Sequence, residues 1–598
     1  MDEQNRNLIL ATALSFLVIL VWFWLFPPEE IQPPVEDAAV TSQTGDATLP
    51  TASTTEAETA TVAPAEEVVE AGRVDIATDK LSGSINLLGG RIDDLSLTTY
   101  RETLEEGAPT VTLLKPEGQA EAYFAAFGWI GMDGFGAVPT PETIWSVESG
   151  QILSVGSPVT LVWDNGEGQI FRRTISVDDE FMFDVTQSVE NTGADVAARP
   201  YGLLRRHGEP SDMKNFFILH EGLVRMSDGE LEETDYDDIV DYTDNEGRIE
   251  VANQGWIGWT DHYWMTTLIP DQSTGFRSDA RHFANRDIYQ AETVLAPMTI
   301  AAGSTVEVTT QLFAGAKEWE AIRTYEDGGV TGFLDSIDWG WFFFLTKPMF
   351  WLLHTLNVAI GNMGWAIIAL TVVIKLLVLP LAYKSYVSMA KMKELQPEME
   401  ALKERAGDDR QAMQQGMMKL YKDNKVNPAS GCMPILIQIP IFFSLYKVIF
   451  VTIELRHAPW FGWLKDLSAP DPSSIFNFYG LLPWDAPEPT SIMALLFIGV
   501  LPLLLGVSMW LQQKLNPAPT DPTQKMIFAW MPWVFMFMLG SFASGLVVYW
   551  IANNVITFIQ QYAIMRSVGA KPDIFGNIRE SFKRASKSDA RETKPKGK

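Results

Sequence analysis

The chain has 598 residues, with 75 acidic side chains against 45 basic ones. A pI of 4.6 argues against nucleic acid as the main partner. The single cysteine, Cys432, excludes an internal disulfide and a cysteine metal cluster, and no HExxH, GxSxG or phosphate-binding loop points to a protease, hydrolase or ATPase, so no cofactor or metal is expected.

The charge is split by region. Residues 27–345 hold 56 acids and 18 bases, and the remainder holds 19 acids and 27 bases. Leu8 to Phe26 is an apolar run long enough to cross a bilayer, with Trp22 and Trp24 at its end. It ends Trp24-Leu25-Phe26-Pro27-Pro28, which suits a retained anchor better than a cleaved signal. Residues 1–28 therefore read as a first transmembrane anchor. Residues 29–70 are rich in Pro, Thr, Ala and Glu and lack Lys and Arg, so they read as an acidic, disordered linker.

Residues 71–330 contain no spanning run. Short segments such as Gln169 to Val177 and Phe181 to Thr186 alternate apolar and polar residues between turn formers. That is the pattern of half-buried antiparallel strands and predicts a large all-β sandwich. Lys317 to Tyr325 predicts a closing helix. Glu209, Asp212, His220, Glu221 and His262 are the acid/base candidates here, and a solvated acidic surface explains them equally without chemistry.

Residues 333–361 mix Trp339, Trp341, Phe342, Phe343, Phe344 and Trp351 with charges, as a helix lying in a membrane interface does. Pro348 is expected to break it. A core of five further spans follows over 362–566, at about 362–383, 434–453, 492–511, 526–542 and 545–565. Nine basic residues in 384–425 and ten from Arg566 onward predict that this loop and the 567–598 tail are cytoplasmic. Six spans then leave both termini inside and the β region outside. The 384–425 loop reads as two helices around Gly407-Asp408-Asp409 and carries Met389, Met392, Met399, Met413 and Met417. Adaptable methionines suit varied apolar partners, and packing within the hairpin is the other reading. The basic tail suits ribosomal RNA or anionic lipid, and topology alone also accounts for it.

Lys375 lies in an apolar run, nine residues from Lys384 and so roughly 13 Å deep along a straight helix. A cation at that depth faces a wet cavity or a partner, and snorkelling to the cytoplasmic surface is the other reading. Thr371 lies one turn before it. Trp550, Asn554, Thr557 and Gln561 form a second polar stripe, and Gln438 lies in the third span. Together they predict a hydrophilic groove. Helix–helix hydrogen bonding is the alternative for each residue taken singly.

Ordered motifs run through the rear half: Asp338-Trp339-Gly340-Trp341, Gly364-Trp365, Pro380-Leu381, Leu395-Gln396-Pro397, Lys425-Val426-Asn427-Pro428, Gly431-Cys432-Met433-Pro434, Gln438-Ile439-Pro440, Glu454-Leu455-Arg456 and Ser544-Gly545-Leu546-Val547-Val548-Tyr549-Trp550. This region resembles the YidC/Oxa/Alb family of membrane protein insertases. The front half resembles the Gram-negative type, with its added anchor and large periplasmic domain. The resemblance implies a non-enzymatic inner-membrane protein that inserts and folds nascent membrane proteins, alone or with the Sec translocon. The ribosome, the signal recognition particle pathway and anionic lipid are further expected partners. Lys375 matches the family's groove cation, commonly Arg, and Thr371 and Trp550 match positions along the substrate path. A secondary transporter with an intramembrane Lys is the alternative, and a membrane-anchored carbohydrate enzyme a third reading.

Overall fold

The computed structural model describes residues 72–132, 135–213, 219–243, 246–407, 409–424, 426, 433–479, 482, 484, 487, 498–516 and 522–569. The expected first anchor, the linker, Cys432 and the tail beyond 569 lie outside these residues, as do residues 492–497 of the expected fourth span.

Between Arg73 and Ala316 the chain forms two mainly antiparallel sheets, of 11 and 9 strands. The segment Gln169–Val177 buries every second residue, as its alternation predicts. It pairs with Met182–Asn191, which pairs in turn with the long final strand Ser304–Ala316. The two inner faces meet in a core that includes Phe171, Phe183 and Trp259, all fully buried, while the equally buried Trp256 and Phe313 point to the other face of the nine-stranded sheet. Arg206 is also buried in that core, and it donates to Asp261 at 2.8 Å. A short helix, α1 (Tyr236–Val240), sets Tyr236 flat against Trp259, with ring centroids 5.3 Å apart.

Helix α2 (Trp319–Asp327) follows the last strand. Beyond it Phe333 packs onto the outer face of the nine-stranded sheet, edge-on to Trp256 and Phe313 and to Tyr325 of α2. A fully buried Phe contributes about 1.5–3 kcal/mol by burial, so this residue fastens the exit of the β region to that sheet.

Helix α3 (Phe343–Ile360) is continuous through Pro348, contrary to the break expected there. Pro348 is the sixth residue of the helix, so its missing N–H removes one main-chain bond, to Phe344, near an end. The helix leaves Trp351 and Val358 exposed and buries Phe350 and Leu353. That two-sided character is the one expected of an interfacial helix.

Helix α4 (Met363–Leu377) starts at Asn362, whose side chain accepts the Trp365 N–H at 3.2 Å and donates to the Pro459 and Trp460 carbonyls. Gly364 lets the Trp460 ring approach; a Cβ there would come within 2.3 Å of it. Helix α5 (Leu379–Glu394) follows with a 68° bend at Val378. Pro380, in the first turn of α5, is tolerated at a helix start and not in a helix interior, so the chain turns there. The single straight span expected over 362–383 is thus two helices. Lys375 lies in the last turn of α4, and its depth does not follow from a straight rise to Lys384.

Helices α6 (Gln396–Ala406) and α7 (Arg410–Asp423) form the expected hairpin. Asp409 caps α7 by accepting two main-chain N–H groups at 3.0 Å. Then come α8 (Met433–Val451), α9 (Val500–Gln513), α10 (Pro522–Met538) and α11 (Ser544–Ser567). The loop between α8 and α9 supplies caps for two later helices. Asp471 and Ser473 accept the Leu501 and Val500 N–H groups, and the Ala469 and Leu467 carbonyls accept those of Ser544 and Gly545. Helix α11 packs on α9, α4 and α5. Among the described residues no single helix is long and apolar enough to cross a membrane; α4 and α5 reach that length and composition only when taken together across their bend.

Candidate functional site

Lys375 is 8% exposed, on the face of α4 that meets α8 and α11. Its Nζ donates to Gln438 Oε1 of α8 at 3.1 Å. Gln438 Nε2 in turn donates to the Tyr549 hydroxyl of α11 at 2.9 Å. Gln560, also on α11, reaches the Lys375 carbonyl oxygen at 3.4 Å. One cation, one amide and one phenol therefore join three helices, and no carboxylate is part of the chain of contacts. Orienting an amide between a donor and an acceptor uses both of its ends, which fixes its rotamer as a hydrophobic contact does not.

The other sequence-selected residues divide. Thr371, fully buried, turns its hydroxyl back to the Ile367 carbonyl at 2.8 Å within α4. Trp550 stacks on Phe442 of α8, with ring centroids 4.7 Å apart and planes 5° from parallel. Asn554 points away from Lys375 and donates to Ser508 of α9 at 3.0 Å. Gln561 donates to Asn516 at 3.0 Å on the same side. Thr557 is buried, and its hydroxyl has no partner among the described residues. The structure thus joins Lys375 to Gln438 and sets Thr371 beside them on α4. Asn554 and Gln561 act as hydrogen-bonding contacts between α11 and α9.

Sequence reasoning missed Tyr549 and Lys447. Tyr549 lies in an otherwise apolar run and gives no periodic signal. Lys447 is a second buried cation, 6% exposed, near the end of α8, and it forms an ion pair with Asp338. Its stem lies against Gly340, whose φ of +68° is a conformation that glycine adopts without strain. Asp338 Oδ2 also accepts the main-chain N–H of His220 at 2.9 Å, and Oδ1 accepts that of Gly340 at 3.1 Å. The Asp338-Trp339-Gly340 motif is therefore a seat for a lysine from α8.

The acid/base candidates of the β region do not assemble into one site. Glu209 accepts from Tyr289 at 3.3 Å, with burial pushing its carboxyl up. His262 Nε2 meets the Phe450 carbonyl of α8 at 2.8 Å, while Glu221 accepts the His262 main-chain N–H. His220 lies between Asp235 and the Leu223 carbonyl. Two of the five candidates thus touch the helical region or the segment leading to it, and they serve as docking contacts. Lys317, at the end of the last strand, is fully buried and donates to Thr260 at 2.9 Å. Burial brings its pKa down to about 8, against the opposing pull of Asp338, Asp261 and Glu221.

In the hairpin region Met389, Met392, Met399, Met413 and Met417 are all half-buried. Met389 packs with Ala382, Tyr386 and Ile564, and Met399 accepts a 3.7 Å contact from the Tyr421 hydroxyl. Met418 is the exposed one, at 66%.

A model of the YidC periplasmic domain matches residues 73–352, and one of the 60Kd inner membrane protein family matches residues 355–571. A membrane protein insertase YidC from Roseobacter denitrificans is 65% identical over 99% of this chain and 100% of its own length. One from Ruegeria pomeroyi is 65% identical over 98% and 100%. A solved active YidC insertase, 17% identical, covers 82% of this chain and 92% of its own with a TM-score of 0.35. With relatives this similar from end to end, the chain belongs to the YidC family of membrane protein insertases.

Proposed function

We propose that this chain inserts and folds integral membrane proteins in the inner membrane, without chemistry of its own. The observation that carries the reading is the buried Lys375, held by a neutral amide among three helices of the region matched to the 60Kd inner membrane protein family. Among the described residues no carboxylate pairs with it, and such a cation is suited to attract an acidic segment that visits. Thr371, Gln438, Tyr549 and Trp550 line the path of that segment, which opens to the cytoplasm and to lipid. Apolar client helices leave the path for the bilayer, where burial of their side chains supplies the driving force.

Six spans, cytoplasmic termini and a periplasmic β domain fit the distribution of Lys and Arg. The Sec translocon, the ribosome, the signal recognition particle pathway and anionic lipid are the partners this reading expects. The transporter alternative finds no support in the family matches. Depletion of the protein tests the proposal. Newly made small membrane proteins should remain uninserted, and normal insertion after depletion would overturn it.

A further inference from the structure

Helix α8 is held from two sides. Gln438 on its first half meets Lys375 and Tyr549. Lys447 lies nine residues further on, which is about half a turn round the axis and roughly 13 Å along it. It therefore points away from Gln438, toward Asp338 and the β domain. Two more contacts grip the same end. His262 meets the Phe450 carbonyl at 2.8 Å and stacks on the Phe450 ring, with centroids 4.7 Å apart. Arg456, just beyond the helix, donates to the Arg101 carbonyl at 2.6 Å and covers the Trp264 ring.

We infer that Asp338 and Lys447 are positioning residues: their ion pair fixes the rotation of α8 at which Gln438 meets Lys375. A helix with one face against a buried cation and the opposite face against a buried carboxylate cannot rotate without losing one of the two contacts. Asp338 is itself immobilised by the His220 and Gly340 main-chain N–H groups, so the pair has a fixed reference in the β domain and in the segment before α3. Deleting one member removes the opposite charge that holds α8 at this rotation, which favours movement of the helix over retention of the geometry.

The inference rests on the proposed role of Lys375, and its test separates the two. In the full-length chain with Cys432→Ser, cysteines replace Lys375 and Gln438, and cross-linking in the membrane by a short bifunctional thiol reagent reads their proximity, since side chains that meet only at their tips leave the backbones too far apart for a direct disulfide. Lys447→Met and Asp338→Asn should each lower the cross-linking yield at least threefold, and Lys447→Arg, which keeps the charge opposite Asp338, should retain it. Asp338→Asn keeps a polar acceptor, so it serves if Lys447→Met is degraded. An unchanged yield in the stable variants would overturn the inference, whatever the insertion assay reports. In the chain that keeps Lys375 and Gln438, the ratio of acidic-tailed to neutral-tailed substrate inserted should fall with the same variants. A reduced cross-link with an unchanged ratio would support the positioning role and count against the electrostatic role of Lys375 instead.

Discussion

Lys375 donates to Gln438 at 3.1 Å, so this buried cation, unlike Lys447 on α8, is held by an amide and, among the described residues, by no carboxylate. A carboxylate would cancel the charge. An amide satisfies one donor and leaves the charge available, which is the property an attraction site for a passing acidic segment needs.

The amide is also a structural joint, and its loss should be felt in stability. Gln438→Leu strands the Lys375 ammonium and the Tyr549 hydroxyl together, at about 1–3 kcal/mol for each buried group left unsatisfied. Tyr549→Phe removes only the acceptor of one neutral bond, worth about 1 kcal/mol. Thermal unfolding of the purified protein in detergent should therefore rank wild type above Tyr549→Phe, and Tyr549→Phe above Gln438→Leu. A Gln438→Leu protein as stable as the wild type would show that the joint carries no load.

The β domain should be largely dispensable for insertion. Lys375 and its partners come from α4, α8 and α11, and both members of the Asp338–Lys447 pair lie outside residues 72–316, so the Gly340 N–H still holds Asp338 once the His220 bond is gone. Deleting 72–316 while keeping the first anchor and residues 333–356 should preserve insertion of small substrates. The same deletion with Lys447→Met should lose it. Complete loss by the stably expressed single deletion would contradict the expectation.

Removal of the hairpin should have the opposite outcome. Its helices pack on each other, with Leu402 over Gly416, and Met418 is exposed for a partner. A chain lacking Lys391 to Tyr421 should retain a folded membrane region, judged by protease resistance, and insert substrates poorly. Normal growth with that deletion as the sole copy would refute the requirement.

Lys317 gives the β domain a pH dependence of known sign. Its folded pKa of about 8 lies below the ordinary lysine value, so the unfolded chain holds the proton more tightly. Stability from this group is therefore lowest below pH 8 and rises as the pH climbs toward 10.5, by roughly 3 kcal/mol in full. Chemical unfolding at pH 7 and pH 10 should show that rise in the wild type and a much smaller one in Lys317→Met. Equal pH dependence in both would show that Lys317 does not feel its burial.

Much of this was legible in the sequence because it is local. Alternation marked the strand Gln169–Val177 and an isolated charge in an apolar run marked Lys375, whereas the bend after α4 was not read although Pro380 stood inside the expected span. Gln438 was legible for the same reason as Lys375. What escaped depends on distance in the chain. Lys447 and Asp338 are 109 residues apart, and neither has a sequence neighbour that announces the pair. Tyr549 becomes a polar contact only because Gln438 faces it. The stripe Asn554–Thr557–Gln561 was visible, but its direction was not: Asn554 and Gln561 turn to Ser508 and Asn516, and which neighbour a helix face meets is set by tertiary packing. Pro348 misled because its cost depends on its position in the helix, which the sequence leaves open.

The charge of Lys375 is the central claim, and one insertion assay isolates it. A single model substrate is made with its translocated tail carboxylates present or replaced by amides, and each form is offered to wild type, Lys375→Arg and Lys375→Glu. Attraction by a point charge predicts that Lys375→Arg inserts both forms normally. Lys375→Glu should insert the acidic tail several-fold more slowly than the neutral one, because repulsion replaces attraction. Equal insertion of acidic and neutral tails by Lys375→Glu would contradict the account and leave Lys375 as a packing or hydration residue.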